Sequence, residues 1–112
     1  MSYALFVYET PGSLDLLTPE EKQSVYDEYV AVSEIPGLVG HRLQPPATAT
    51  TLRISNGEPL TAAGPPESAA PYLAGFYLVE TNDIDHALEL AARIPAARLG
   101  GVIQVQPLVS EA

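Results

Sequence analysis

The chain has 112 residues, of which 46% are hydrophobic, and its 14 acidic residues outnumber the 5 basic ones to give a formal net charge of −9. This length predicts a single domain over residues 1–112, and the apolar fraction excludes wholesale disorder. The acidic excess repels polyanions and no cluster of Lys and Arg offsets it locally, so we expect no nucleic-acid partner.

Composition also bears on the compartment in which the protein works. Cysteine is absent, which excludes a disulfide framework and a thiolate nucleophile and is typical of a reducing compartment. The first residues, MSYALFVYE, have no basic flank and only a short apolar stretch, so we expect neither a signal peptide nor a membrane span. We therefore predict a cytoplasmic protein with no membrane partner.

The first third of the chain predicts a buried strand followed by a capped helix. Residues 3–8 (YALFVY) are apolar at nearly every position, which is typical of a central strand covered on both faces. Thr18 begins a helix over 18–35, since Pro19 suits the first helical position and Glu21 completes a Thr-x-x-Glu capping box. The core-facing stripe of this helix is expected at Val25, Tyr29 and Val32.

The middle of the chain predicts strands separated by a proline pair and a tight turn. Strands are expected at 38–44 and 48–55, and the second of them is rich in β-branched residues. Asn56-Gly57 then indicates a hairpin turn, because both residue types tolerate positive φ. The return arm of the hairpin is predicted at 58–61.

The last third predicts a strand, a helix and a final strand. Residues 72–80 are again apolar on both faces, and Asn82 or Asp83 caps the helix that follows, which Pro95 ends. The final strand is expected at 101–108, where apolar and polar residues alternate. The buried stripe of the helix is predicted at Ile84, Ala87, Leu88, Ala91 and Ile94.

Elements in this order predict an α+β fold of the ferredoxin-like, split βαβ type, with an added hairpin arm. In such a fold two helices pack on one face of an antiparallel sheet. Alternate residues of 3–8 point to opposite faces, so both faces of that strand carry apolar groups. The two sets are Tyr3, Leu5 and Val7 on one face and Ala4, Phe6 and Tyr8 on the other.

The sheet face without helices predicts an assembly. Phe76 and Leu78 repeat the pattern on the strand at 72–80, on the opposite side from Tyr77 and Val79. An apolar face of several hundred Å² rarely stays in water. Either a ligand fills it or a second copy covers it, and we predict a homodimer joined sheet to sheet, because symmetric dimers are the commonest oligomers.

Two histidines are the candidates for acid/base chemistry. His41 shares its strand parity with Val39 and Leu43, so it serves either as a partly buried general base or as a strand residue satisfied locally. His86 falls in the first turn of the second helix, where a solvated residue is expected. The two lie on different elements without motif spacing, so we predict no metal, and no cofactor-binding motif occurs.

Other polar residues are candidates for binding a ligand. Arg42 and Arg53 stand on strands expected to pair, where they either bind a carboxylate or phenolate in a cleft or pair with surface acids. Among the six tyrosines, Tyr8 and Tyr77 are predicted contributors to an aromatic-friendly pocket. The alternative for both is a packing role with one satisfied hydroxyl.

Six segments, taken together, carry a family resemblance. They are GHRLQP (40–45), TATTLR (48–53), NGE (56–58), AGFYLVE (74–80), DHALELAARIP (85–95) and QVQPL (104–108). In this order they resemble the YCII-related proteins, most closely the branch named for an Asp-Gly-Pro-Phe motif. The resemblance implies a dimeric α+β barrel without a common established activity. It also implies, for some relatives, a link to extracytoplasmic-function sigma factors, and for others enzymatic action on small, often aromatic, metabolites.

The same resemblance shows where this chain departs from the motif. Ala63-Gly64-Pro65-Pro66 stands where the motif has Asp-Gly-Pro-Phe, so the Gly-Pro geometry is kept while the carboxylate is lost. In the wider family a histidine on the first helix is sometimes paired with that aspartate as an acid/base couple, and the helix at 18–35 has no histidine. Glu67 is a candidate replacement, provided that it reaches the same point.

Three functions are compatible with these residues. The favoured one is a non-catalytic dimeric module that binds a small molecule or a protein partner, with a regulatory role. The second is a cofactor-free enzyme acting on an aromatic or lactone-like metabolite, with His41 as general base and Arg53 or Tyr77 orienting the substrate. The third is a subunit whose role is assembly alone.

Overall fold

The computed structural model of the protein describes residues 2–67 and 70–109. Within these residues the strands are β1 (Ser2–Glu9), β2 (Leu38–Arg42), β3 (Thr50–Ser55), β4 (Glu58–Ala63), β5 (Tyr72–Glu80) and β6 (Val102–Pro107), and the helices are α1 (Pro19–Ser33) and α2 (Ile84–Ala92). Short 3-10 turns occur at Pro46–Thr48 and Pro95–Ala97. Neither helix of the described chain combines the length and the apolar character needed to cross a membrane.

The main sheet has the strand order β2-β5-β1-β6, and every neighbouring pair is antiparallel. β1 and β5 are its central strands, and they are the two whose residues are apolar on both faces. An edge strand has a neighbouring strand on one side only and is more exposed to water than a central strand. The strands with the most apolar side chains therefore occupy the central positions of the sheet. The arrangement confirms the predicted α+β, ferredoxin-like fold.

β3 and β4 form a hairpin outside the main sheet. Asn56 (φ 51°) and Gly57 (φ 80°) both adopt the positive φ that the two-residue turn requires, as their types predict. The expectation that the strands of Arg42 and Arg53 pair is wrong. β2 pairs with β5 instead, because the tight turn closes β3 onto β4, whose last residue is Ala63.

Helix α1 begins with the predicted capping box. The Thr18 hydroxyl accepts from the Glu21 N–H at 3.1 Å, and the Glu21 carboxylate accepts from the Thr18 N–H at 2.9 Å. These bonds satisfy donors of the first turn that have no partner inside the helix. Its buried face consists of Val25, Tyr29 and Val32, which is the stripe that the sequence spacing predicts.

The core lies between both helices and one face of the main sheet. Side chains of α1 and α2 join a single buried cluster with the sheet, so both helices cover the same face. The sheet residues of this cluster are Tyr3, Leu5, Val7, Leu38, Tyr77 and Val79. The other face carries no helix of the described chain, and we call it the open sheet face. Its residues are Ala4, Phe6, Tyr8, Val39, His41, Phe76, Leu78, Val102, Gln104 and Gln106.

The predicted buried stripe of α2 is partly wrong. Leu88 is 48% exposed and Ile84 is also exposed, whereas Leu90, absent from the prediction, is 5% exposed. Within α2 the observed stripe is Ala87, Leu90 and Ala91, which follow the i, i+3, i+4 spacing of one helical face, and Leu88 lies about 100° away from Ala87. Ile94 is buried as predicted, but it lies beyond Arg93, the C-cap of the helix.

The phase of α2 can be tested with two leucine substitutions. Leu90→Ala should lower the free energy of unfolding by ~2–5 kcal/mol, because it deletes a buried side chain and leaves a cavity. Leu88→Ala is the matched control, since it makes the same change at an exposed position of the same helix, and its loss should stay below about 1 kcal/mol. Urea unfolding at one fixed protein concentration measures both. Equal losses would contradict the helix orientation.

Candidate functional site

A cavity of about 800 Å³ lies where the hairpin meets the end of the main sheet. One wall is formed by Tyr8 and Leu73 at the end of the open sheet face, together with Leu43, the residue that follows β2. A second wall is formed by Thr50 and Leu52 at the base of the hairpin. Proline forms much of the remainder, at Pro45, Pro46, Pro65, Pro66 and Pro71. A concave, largely apolar site of this size with a few polar groups is typical of small-molecule binding.

The loop after β4 forms the third wall of this cavity. Gly64 has φ 92°, a left-handed conformation that glycine adopts without strain. Its N–H donates to the Ala49 carbonyl at 2.7 Å, and its carbonyl accepts from the Thr51 hydroxyl at 2.7 Å. These two hydrogen bonds hold the loop against the start of β3, and Pro65 and Pro66 then line the cavity.

Ionisable groups are scarce at the cavity. Ala63, where the predicted Asp-Gly-Pro-Phe motif would have its aspartate, ends β4 and does not line the cavity. Glu67 does line it, and it is the only carboxylate among the described lining residues. In residues 2–67 and 70–109, no three histidine, aspartate or glutamate side chains converge as a metal ion would require.

A polar cluster surrounds the Glu9 carboxylate at the end of β1. Its Oε2 accepts from the Tyr29 hydroxyl at 2.9 Å and from the Arg42 guanidinium at 3.1 Å. Its Oε1 accepts from the Tyr72 hydroxyl at 3.3 Å. The Glu9 side chain is only 13% exposed, so these donors replace much of its hydration. Tyr72 also lines the cavity and therefore connects the cluster to it.

The cluster depends on an irregularity in the pairing of β1 with β5. The register is constant from Ser2, opposite Glu80, to Val7, opposite Gly75, and it shifts by one residue between Val7 and Tyr8. Because of the shift, Glu9 stands opposite Tyr72 rather than Leu73. A bulge of this kind redirects side chains at the end of a strand, and here it brings a phenol to the carboxylate.

Burial and the neighbouring carboxylate keep the phenols of this cluster protonated. Burial, followed by the charge and hydrogen bond of Glu9, raises the pKa of Tyr29, and Arg42 offsets part of the rise. The same causes raise the pKa of Tyr72, and burial raises the pKa of Tyr77. Arg42 also lies over the Tyr29 ring, 4.0 Å from its centroid. The phenols of Tyr29 and Tyr72 therefore act as hydrogen-bond donors to Glu9.

The predicted site residues lie in different parts of the fold. Tyr8 lines the cavity. His41 is exposed on the open sheet face, where its ring meets Phe76 edge to face with 6.2 Å between centroids. Arg53 is exposed on the hairpin, and Tyr77 is buried on the helix-covered face. Within one chain His41, Arg53 and Tyr77 therefore do not converge, and none of the three lines the cavity.

Sequence reasoning does not bring the Glu9 cluster together. The partners of Glu9 are 20, 33 and 63 positions away along the chain, so no short motif records them. The one hint in the sequence is a carboxylate that directly follows an apolar central strand. Such a carboxylate needs hydrogen-bond donors from neighbouring elements if other parts of the chain cover the end of that strand and exclude water.

Comparison with known proteins gives matches that extend over nearly the whole chain. The family model of the YCII-related domain matches residues 1–110. An uncharacterised protein of Rhizobium meliloti (strain 1021) is 32% identical over 114 aligned positions, which cover 96% of this chain and 92% of that protein. The matches confirm the YCII resemblance, while the placement in the Asp-Gly-Pro-Phe branch stays a prediction.

The buried phenols predict a loss of stability at alkaline pH. Above about pH 10 the unfolded chain releases phenolic protons that Tyr29 retains in the fold, so the unfolded state binds fewer protons and the free energy of unfolding falls as pH rises. Tyr29→Phe should make that fall shallower. Tyr26→Phe is the control on the same helix, since Tyr26 is exposed and is not among the hydrogen-bond donors to Glu9, which are Tyr29, Arg42 and Tyr72. Urea unfolding at stepwise pH measures the slopes, and identical slopes would refute the assignment.

Proposed function

The chain belongs to the YCII-related family, and from that premise we propose that it is a dimeric module that binds a small, neutral, largely apolar molecule at the base of the hairpin. One observation carries the proposal. The cavity there has a volume of about 800 Å³, within the range of about 300–1,000 Å³ that is usual for small-molecule sites. Its walls of proline and leucine offer a rigid apolar surface.

The lining indicates the chemistry of the ligand. Thr48, Thr50 and Gln44 supply a few hydrogen-bonding groups among apolar neighbours. An anionic ligand is disfavoured, because Glu67 lines the cavity and the whole chain carries a formal charge of −9. A molecule with an aromatic or lactone-like body and one or two hydroxyl or carbonyl groups fits this balance.

Binding without turnover is supported by how the nearby carboxylate is used. Glu9 already accepts hydrogen bonds from Tyr29, Tyr72 and Arg42, so few of its lone pairs remain for a substrate proton. In the Asp-Gly-Pro-Phe branch that the resemblance implies, Ala63 would stand where the motif has its aspartate. We place such a module in the cytoplasm, as the cysteine-free composition predicts. The resemblance implies a regulatory role linked to a sigma factor for some relatives. In such a role, the binding of the ligand would be the signal to which this protein responds.

The open sheet face supports the dimeric part of the proposal. Phe6 pairs with Phe76 at its centre, and Ala4 pairs with Leu78 in the next row. Leucine and phenylalanine side chains gain ~1.5–3 kcal/mol each on full burial from water, and a second copy placed on this face would gain the part of that free energy that Phe6, Phe76 and Leu78 have not yet gained within one chain. At its margins, His41 and the glutamine pair of β6 carry no negative charge, and Glu80 stands at one corner.

A cofactor-free enzyme is the second candidate, and one observation favours it. Tyr72 lines the cavity while its hydroxyl donates to Glu9, so one side chain joins the cavity wall to a carboxylate. His41 could act as general base there only if a partner copy delivered it, because it lies outside the cavity of its own chain. Turnover of a metabolite that disappears in His41→Ala would favour this candidate.

Ligand binding can be tested by filling the cavity. Ala49→Trp places a large side chain in the lining, whereas Ala47→Trp makes the same change at a neighbouring residue outside it. Titration with the neutral, polarity-sensitive dye Nile red, and then with neutral aromatic and lactone-like metabolites, should show saturable binding to the wild type and to Ala47→Trp. Binding to Ala49→Trp should be weaker by about tenfold or more.

The chain has no tryptophan, so the introduced indole reports its own surroundings in both variants. Equal affinity of the two variants would refute the cavity as the binding site. If neither the dye nor any metabolite binds to the wild type, the binding function fails, and a subunit with an assembly role alone is the function that remains.

The dimer can be tested at the centre of the open sheet face. Phe76→Asp should give a monomer or insoluble protein, because assembly would bury an uncompensated charge opposite Phe6. Glu80→Gln, at the margin of the same face, is a control that should leave assembly unchanged. Sedimentation velocity over a range of concentrations measures both. A soluble Phe76→Asp protein with the oligomeric state of the wild type would contradict the proposal.

A further inference from the structure

The hairpin of β3 and β4 has little support from its own chain. The two strands pair with each other and with no other described strand. At its base the hairpin is held by Gly64 and Thr51, through the two hydrogen bonds to the loop. An isolated two-stranded hairpin is marginally stable in water at best. An arm of this kind requires a surface to pack against.

One face of the hairpin is apolar. Directly opposed residues share a face, so Leu52 and Ile54 lie on the same side as their partners Thr61 and Pro59. Leu52 is 61% exposed and Ile54 is 66% exposed. The opposite face carries Arg53 and Glu58 beside Leu60. We call the first of these faces, formed by Leu52, Ile54, Pro59 and Thr61, the arm face.

The arm face is continuous with the open sheet face through the cavity. Leu52 lines the cavity from the hairpin, and Tyr8 lines it from the sheet. The two apolar surfaces thus meet at a corner. The chain is correspondingly extended, with dimensions of 48 × 44 × 19 Å and a radius of gyration of 16.0 Å, against about 13 Å for a compact chain of this length. A body seated on the open sheet face at its cavity end would therefore lie beside Leu52 of the arm face.

The distribution of charge identifies a second copy as that body. More than half of the acidic residues lie on or next to the helices, on the far side of the sheet: Glu20, Glu21, Asp27, Glu28, Glu34, Asp83, Asp85 and Glu89. The arm face has no charged residue. On the side of the open sheet face, Glu80 stands at the corner farthest from the cavity, and Glu67 lines the cavity itself. Two strongly acidic copies repel each other least when they approach through these surfaces.

We infer that the hairpin of each copy clasps a second copy of this chain, with the arm face packed on the partner's open sheet face around a twofold axis. The inference rests on the sheet-to-sheet dimer proposed above and adds the arm to it. Because the cavity lies in the corner between the two surfaces, the partner closes its mouth. Each binding site is then completed by the other copy, so ligand binding and dimerisation strengthen one another.

Two lysine substitutions on opposite faces of the arm test the clasp. Ile54→Lys should weaken the dimer by about 100-fold or more in sedimentation equilibrium, because the clasp would bury an unpaired ammonium group. Leu60→Lys makes a comparable change on the opposite face, where Leu60 is 55% exposed, and should alter the dimer constant by less than about threefold. Nile red should also bind more weakly to Ile54→Lys, since the cavity loses its partner wall.

A second measurement keeps the clasp testable if Ile54→Lys fails to fold. The chain has no cysteine, so Ile54→Cys carries one thiol for a spin label. A spin-labelled copy is mixed with an isotope-labelled copy that has no spin label, and amide signals of the second copy are recorded. The label should broaden amides of the open sheet face, such as Phe6 and Phe76, and spare those of α1 and α2. Leu60→Cys should broaden them much less.

The outcomes separate the clasp from the proposals on which it rests. A wild type that dimerises, loses its dimer in Phe76→Asp and keeps it in Ile54→Lys would overturn the clasp and leave the sheet dimer standing. Equal effects of Ile54→Lys and Leu60→Lys, or no broadening across the open sheet face, would also overturn it. A wild type that is monomeric at every concentration overturns both. A clasped dimer that binds no dye removes the ligand proposal alone.

Discussion

The two central strands, β1 and β5, carry apolar groups on both faces of the sheet. The cost of exposing these groups to water is the constraint on which the rest of the structure depends. The two helices in residues 2–67 and 70–109 cover only one of these faces. Covering that face with α1 and α2 accounts for the core, but it leaves Phe6, Phe76 and Leu78 outside it. Full burial of such a side chain from water is worth ~1.5–3 kcal/mol, and covering this face would gain the part of it that corresponds to the area still exposed, which is 42% for Leu78. The proposed dimer would bury this face, and the proposed binding cavity lies at its end.

The end of the sheet is organised by the shift in register between β1 and β5. The shift places Glu9 opposite Tyr72, and the carboxylate then gathers donors from α1 and β2 as well. Loss of any one of the three donors would leave a nearly buried carboxylate less well hydrogen-bonded, which costs free energy. The carboxylate therefore holds β1, α1, β2 and β5 together at this end of the sheet. Tyr72 is fixed by this cluster on one side and lines the cavity on the other. The position of Tyr72 in the cavity wall thus depends on its hydrogen bond to Glu9, which does not line the cavity.

Local patterns were sufficient to predict most of the fold. The capping box of Thr18, the Asn56-Gly57 turn and the two doubly apolar strands each depend on residues within a few positions of one another, and each is observed. Prediction failed where contacts depend on tertiary register. The phase of α2 places Leu90 rather than Leu88 against the sheet, because only packing decides between two leucines so close together. The Glu9 cluster joins residues up to 63 positions apart through a bulge, and no pattern within a segment contains that information.

The proline-rich loop after β4 has a physical role that does not require ionisable chemistry. Gly64 turns the chain and is hydrogen-bonded to the start of β3, and the prolines that follow have few conformations to lose. A ligand that enters a cavity with such walls orders little of the protein, so more of the contact energy remains as affinity. An ionisable group at the residue before Gly64 is not needed for this role, because Ala63 does not line the cavity. Rigidity of the wall, rather than a reactive group on it, is what this loop contributes to the site.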